Sequence, residues 1–269
     1  AGIHGDEFSQ QLVLKRVISD IPDNINGQLV ILPRCNPLAM AENTETNPAD
    51  GKNLNRIFPG GNESISARIA AVIMGIVRRS DLAIDLHNFT DPAMAQSIFV
   101  DAGDSNMKQR VVRLCRTYGL PLVWRISLTD KTQAMVSGTL LYNAIIAGIP
   151  AVGAELPPLD TMTQADLDSG YTGLQRVIGE FIKPSQALTP TRSSRLIHRI
   201  DICSRHAGIF IPQLKLGQTV STAQHLGKIL APDYREKCVM AQSGTLIRIR
   251  RPGPVTAGTL LGSIGQPAR

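Results

Sequence analysis

An α/β domain built on a mixed sheet flanked by helices, followed by a smaller all-β domain, is the fold class that this sequence predicts. Three observations lead there. Over residues 1–185, short apolar β-rich runs alternate with runs of helical period. Strands and helices that alternate along a chain build a sheet with helices on its faces. After "KPSQALTPTRSS" (183–194), a stretch rich in Pro, Ser and Thr, the helical pattern stops and only short β-rich runs follow. Those runs contain a repeat: "GIFIPQLKLGQTVSTAQHLGKI" (208–229) and "GTLIRIRRPGPVTAGTLLGSI" (244–264) share a frame.

The elements follow in order. "FSQQLVLKRVISDI" (8–21) places Phe8, Leu12 and Ile18 at helical spacing. Asp6 would cap this helix, with Glu7 in its first turn. "GQLVILP" (27–33) reads as a strand. A long polar loop then carries the breakers Asn36-Pro37, Asn47-Pro48 and Pro59-Gly60-Gly61. Helices are expected at 64–79, at 105–119 with a glycine end, at 138–149 and at 163–182. Strands are expected at 81–87, 96–102, "LPLVWRI" (120–126) and 150–157. In the repeat, each copy opens on Gly and an apolar run. A second Gly follows (Gly217, Gly253), then Val (Val220, Val255), then Leu-Gly-x-Ile. Two copies of one unit suggest a small barrel or sandwich with pseudo-twofold symmetry. The expected domains are 1–185 and 195–269.

The totals narrow the function. The 269 residues carry a net charge of +6, but aromatic content is 4% and the basic residues are scattered. The one dense cluster, "RIRRP" (248–252), lies in a strand-like run and reads as a solvated strand face, so no nucleic-acid partner is expected. No apolar run approaches the ~18 residues that span a bilayer, so no membrane partner is expected either. Cys35, Cys115, Cys203 and Cys238 form no C-x-x-C pair. Reduced thiols in a cytoplasmic protein are the expectation.

Four places carry the chemistry. His4 and Glu7 stand three apart. Both are zinc-ligand types, and the spacing puts their heads on one side; taken alone the pair reads first as a helix entrance. His87 ends the apolar strand "LAIDLH", where open α/β sheets form their ligand crevice. Asp85, two residues back, shares its face and could orient the imidazole. Glu155 is a lone carboxylate ending the apolar run "IPAVGAE" before two prolines, either a proton carrier or a strand end reaching the surface. In "DGKNLNRIFPGG" (50–61), Asn55 and Arg56 offer donors for a substrate carboxylate, unless Arg56 pairs with Asp50.

"GIHGDE", "NPLAM", "DGKNLNRIFPG", "DLHN" and "GIPAVGAELP" together resemble, in this order, the succinylglutamate desuccinylase/aspartoacylase family, relatives of the zinc carboxypeptidases. The resemblance covers most of residues 1–182. It implies that His4, Glu7 and His87 bind zinc, that Glu155 is the catalytic base, and that Asn55 and Arg56 hold the substrate carboxylate. It implies hydrolysis of the amide of a small N-acyl amino acid, the small-molecule partner. A zinc carboxypeptidase acting on peptides and a non-catalytic binding relative are the alternatives. Association into a homo-oligomer stays open. Relatives carry a strand ahead of the first motif, and one is expected before residue 1. They also carry an arginine in the loop after Asn-Pro, where this chain has Glu42 and Glu45. An acidic loop of this kind would favour a cationic substrate amine. The C-terminal repeat resembles biotinyl/lipoyl-type barrels, which attach cofactor to a hairpin lysine. Lys237 lacks the flanking methionines, and the barrel reads as structural, a lid or an oligomer contact.

Overall fold

The computed structural model describes residues 1–21, 25–182 and 194–268. The expected linker at 183–194 falls almost wholly outside them. The chain divides into two compact units, Ala1–Asn88 with Ala95–Ser194, and Phe89–Met94 with Arg195–Arg269.

In the first unit the helices are α1 (Ser9–Ser19), α2 (Pro37–Glu42), α3 (Ile65–Val77), α4 (Ser105–Tyr118), α5 (Asp130–Val136), α6 (Leu140–Ile146) and α7 (Gln164–Ile182), with a 3-10 turn at Leu54–Arg56. Side-chain caps set several starts. Ser64 accepts from the Ala67 amide, Asp104 from Met107 and Thr139 from Tyr142. α4 ends on Gly119 in the left-handed conformation. Asn36-Pro37 does not break the chain: Asn36 caps α2 and Pro37 is its first residue, where a missing N–H costs nothing. Residues 27–33 join no ladder among the described residues; instead Leu32 O accepts from the Ala1 amine at 3.0 Å.

Four strands form the mixed sheet of this unit: β1 (Ala83–Asn88), β2 (Gln96–Asp101), β3 (Leu122–Ser127) and β4 (Ala151–Leu156), in the order β1-β4-β2-β3. β1 runs parallel to β4 and β2 parallel to β3, while β2 and β4 are antiparallel. α1, α4 and α7 pack together, as do α3 and α6. Tyr118 is wholly buried, and its hydroxyl donates to Gly170 O at 3.2 Å.

The second unit is all β. Its strands are β5 (Arg195–Cys203), β6 (Gly208–Pro212), β7 (Thr219–Val220), β8 (His225–Leu230), β9 (Glu236–Met240), β10 (Gly244–Ile249), β11 (Gly253–Val255) and β12 (Leu260–Pro267). The repeat is visible in three dimensions. β6 pairs with β8 as β10 pairs with β12. The short middle strands are exchanged: β7 pairs with β10 and β11 with β6. Equivalent positions fill the core together: Phe210 with Leu246, Val220 with Val255, Leu226 with Leu261 and Ile229 with Ile264. Gly208 and Gly244 open the two copies at φ of 152° and 145°, where a Cβ would lie 2.3 Å from Leu230 O and 2.7 Å from Gly265 O. Only glycine fits there. Truncating a core residue such as Leu226 to alanine would cost about 2–5 kcal/mol. Lys237 lies within β9 opposite Ile229, not at a hairpin tip.

Candidate metal centre

In the parallel ladder of β1 and β4, His87 is the Cα partner of Glu155. In-register residues on neighbouring strands stand on one face, so His87, Asp85 and Glu155 share it. His87 and Glu155 lie near the C-terminal ends of their strands, where such sheets form their crevice.

His4 and Glu7 come from the turn before α1. That turn is pinned by Gly5 N to Thr44 O at 2.8 Å and Asn36 N to Gly2 O at 2.8 Å. The approach is so close that a Cβ on Gly5 would lie 2.0 Å from the Ala39 carbonyl. The expected Asp6 cap does not form. Phe8 occupies the N-cap with no side-chain hydrogen bond, and the Ser9 amide donates to Asn88 Oδ1 at 2.8 Å instead. Ser9 Oγ donates to Pro157 O at 2.7 Å, which ties the start of α1 to the end of β4. Glu7 therefore lies ahead of the helix rather than in its first turn, and its carboxylate meets His87.

The Glu7 carboxylate bridges the two imidazoles. Its Oε1 lies 2.7 Å from His4 Nδ1 and its Oε2 2.9 Å from His87 Nδ1. Oε2 also accepts from the Asn88 amide at 3.2 Å. One donor atom from each of the three residues falls within 4.8 Å of the others. The outer nitrogens are engaged as well. His4 Nε2 meets Asn53 Oδ1 at 3.2 Å. His87 Nε2 lies 2.9 Å from Oδ2 of the buried Asp85 carboxylate.

The electrostatics follow from burial opposed by neighbours. Burial alone would push Glu7 up, but the charge of His87 and hydrogen bonds from both imidazoles outweigh it and hold Glu7 well below the usual carboxylate range. Burial would likewise lower His87, yet the charges of Asp85 and Glu7 raise it well above an ordinary histidine. His4 is raised more modestly, by Glu7 against its own burial. Asp85 is lowered, chiefly by His87 working against burial.

These residues fit a divalent metal. Two imidazole nitrogens and a carboxylate are the kind and number of protein ligands that catalytic zinc sites use. Partners on the outer imidazole nitrogens fix the tautomer that ligation needs. With both imidazoles neutral, Glu7 and Asp85 leave two buried negative charges. Each would cost several kcal/mol uncompensated, and a divalent cation balances them.

Asn55 joins this cluster and Arg56 stands beside it. Asn55 Nδ2 lies 3.5 Å from His87 Nε2, and its Oδ1 accepts from the Leu140 amide at 2.9 Å. Arg56 is exposed and donates through Nη1 to Asn55 O at 2.7 Å. Asp50, weighed above as its partner, instead accepts from the Ser66 amide and hydroxyl at 2.8 Å each. Glu155 is half-buried opposite His87, and the three-residue donor cluster forms without it. Sequence reasoning passed over Asn53 and Asn88, although both lie inside quoted motifs. Asn88 directly follows the candidate ligand His87, whereas Asn53 lies 49 positions from His4 and gave no such signal.

The profile of the succinylglutamate desuccinylase/aspartoacylase catalytic domain matches residues 1–180. The N-alpha-acetyl-L-2,4-diaminobutyric acid deacetylase of Halomonas elongata is 24% identical, over 98% of this chain and 80% of its own length. Among solved structures, a succinylglutamate desuccinylase/aspartoacylase from Rhodobacter sphaeroides superposes with a TM-score of 0.85 at 20% identity, covering 100% of this chain and 84% of its own. The product-bound ectoine utilization protein EutE (DoeB) from Ruegeria pomeroyi superposes with a TM-score of 0.86 at 20% identity, covering 98% of this chain and 83% of its own. At such identities the structures speak for the fold alone. The domain profile spans the segment that holds His4, Glu7, His87 and Glu155, and on that match the chain belongs to the succinylglutamate desuccinylase/aspartoacylase family.

Proposed function

We propose that this protein hydrolyses the amide bond of a small N-acyl amino acid, with zinc held by His4, Glu7 and His87. The observation that carries the reading is the convergence of two Nδ1 atoms on one buried carboxylate, with Asn53 and Asp85 behind them. Family membership and the deacetylase named above support the same reaction class.

When bound, zinc supplies Lewis acidity toward the scissile carbonyl and the attacking water. The chain's own residues do the rest. Glu155, on the face that carries His87, takes the proton of the attacking water and returns it to the departing amine nitrogen as the C–N bond breaks. Arg56, exposed beside the cluster, pairs with the substrate carboxylate. Asn55, anchored by the Leu140 amide, presents its Nδ2 beside the substrate. In this reading residues 1–185 form the amidohydrolase domain and 195–269 a supporting β domain. Among the described residues no helix is long and apolar enough to cross a membrane. The four free cysteines support a reducing compartment, the cytoplasm.

A zinc-loaded hydrolysis screen over N-acetyl and N-succinyl amino acids tests the proposal, with Glu155→Ala as control. At least one substrate should turn over, and the variant should lose about 10²–10⁴-fold in kcat while keeping its zinc. Stoichiometric zinc with turnover of peptides only would replace this reading by a carboxypeptidase.

A further inference from the structure

The row of side chains that holds His87 and Glu155 does not stop there. β2 lies on the other side of β4, antiparallel to it, and Gln96 is the Cα partner of Glu155. His87, Glu155 and Gln96 thus form one line across three adjacent strands, all on the same face. Gln96 is the first residue of β2 and is only 1% exposed. Its Oε1 is shielded from solvent and has no hydrogen-bond partner.

A buried amide oxygen without a donor is expensive, and native proteins keep few of them. An apolar residue of the same size would serve a purely structural position better, as Ile98, Phe99 and Val100 do further along β2. What distinguishes Gln96 is its neighbour. Directly opposed residues in an antiparallel pair have Cβ atoms about 4.5–5.5 Å apart, within reach of Gln and Glu heads. A carboxamide can meet either state of a carboxyl group. Its N–H donates to the carboxylate, and its oxygen accepts from the O–H of the acid.

We propose that Gln96 is a positioning residue that acts through Glu155. The unpartnered Oε1 receives the O–H that Glu155 carries after it takes the proton of the attacking water. When that proton passes to the amine nitrogen and the C–N bond breaks, Gln96 presents its N–H to the restored carboxylate. The carboxamide gains and loses no atom; it keeps the carboxyl head aimed through the cycle. This rests on the reading of Glu155 as the proton carrier given above.

The test uses the zinc-loaded full chain and two acetyl donors. One is the N-acetyl amino acid that the wild type hydrolyses fastest. The other is 4-nitrophenyl acetate, whose leaving group departs without being protonated. Gln96→Met should lower kcat on the amide about ten- to hundredfold and on the ester by a clearly smaller factor, because the ester uses the base step but not the return of the proton to the leaving group, with KM and zinc content within about twofold of wild type. Gln96→Glu keeps the volume and sets two carboxyl groups opposite each other, so the acid limb of the amide kcat profile should move up by about one pH unit. Equal losses on amide and ester, or an amide kcat within twofold of wild type, would overturn the assignment. So would an unmoved acid limb in Gln96→Glu, which decides alone should Gln96→Met not fold. A wild type with no amide turnover at all would instead remove the functional reading.

Discussion

Glu7 Oε2 lies 2.9 Å from His87 Nδ1, although eighty positions separate the two residues in the chain. The contact joins the turn before α1 to the end of β1 and leaves an anion between two imidazoles. It also defines what Glu7→Gln should do. That variant keeps the size of the side chain and removes the charge. Zinc at about a hundredfold excess over Kd should stabilise the wild type by about 2.7 kcal/mol. In a chain of this size that is a rise in Tm of roughly 5–10 °C. Glu7→Gln should show less than about a third of that rise, and sub-stoichiometric zinc by elemental analysis. A full zinc response in the variant would remove Glu7 from the ligand set.

The same cluster predicts opposite pH behaviour with and without metal. In the metal-free protein, His4 and His87 are raised, by Glu7 and by Asp85, against the effect of burial. Their contribution to stability is complete below the ordinary histidine range, about pH 6.5, and fades as pH rises through the raised values. Glu7 and Asp85 are lowered, against burial, by the imidazoles. Their contribution is complete above about pH 4.3 and fades as pH falls through the lowered values. Thermal unfolding in a chelator should therefore peak near pH 5–6. Protons compete with metal for the two Nδ1 atoms, so the stabilisation added by zinc should grow from pH 6 to pH 8. Parallel curves with and without zinc would show that metal and protons do not share these atoms.

Asp85 stands behind His87 at 2.9 Å and is buried to 2% exposure. Replacing it with Asn preserves shape but not charge. Zinc affinity, measured by competition with a chelator, should weaken about 10–100-fold while the fold persists. Unchanged affinity would mean that the Asn53 side of the cluster sets the geometry alone.

Why some of this could be read from the sequence and some could not is a matter of range. His87 and Glu155 stood out because a polar residue ending an apolar strand has few reasons to be there. The row that runs from His87 through Glu155 to Gln96 could not be read, because β4 inserts between β1 and β2, against the order of the chain. The Asp6 cap was a sound local inference that a distant residue displaced: Asn88 supplies the acceptor for Ser9 across 79 positions. Asn36-Pro37 carried the opposite lesson, since a dipeptide expected as a breaker is the cap and first residue of α2. The strand expected at 27–33 has β-rich residues but no described partner to pair with, and a strand exists only in a ladder. The repeat in 208–264 was legible as glycine and leucine spacing, whereas the exchange of β7 and β11 between its halves was not.

Substrate choice should depend on Glu45. Its Oε1 accepts from Asn53 Nδ2 at 2.8 Å, and Asn53 Oδ1 meets His4 Nε2 at 3.2 Å. An exposed carboxylate is thus held two side chains from a candidate ligand. Asp6 adds a second acid close by, pushed up by its burial and by the charges of Glu7 and Glu45. Negative potential on this side of the site favours a substrate whose side chain ends in an ammonium group over a neutral one of equal length. Because Glu45 is exposed, solvent and salt screen it, and the expected effect is modest. Glu45→Gln should reduce the ratio of kcat/KM for the cationic over the neutral N-acetyl amino acid by about two- to fivefold at low ionic strength. Most of that reduction should vanish at 0.5 M salt, where the Debye length falls below about 5 Å. A ratio that Glu45→Gln leaves unchanged at low salt would show that selectivity is set elsewhere. A loss equal for both substrates would show that Glu45 acts only by holding Asn53 against His4.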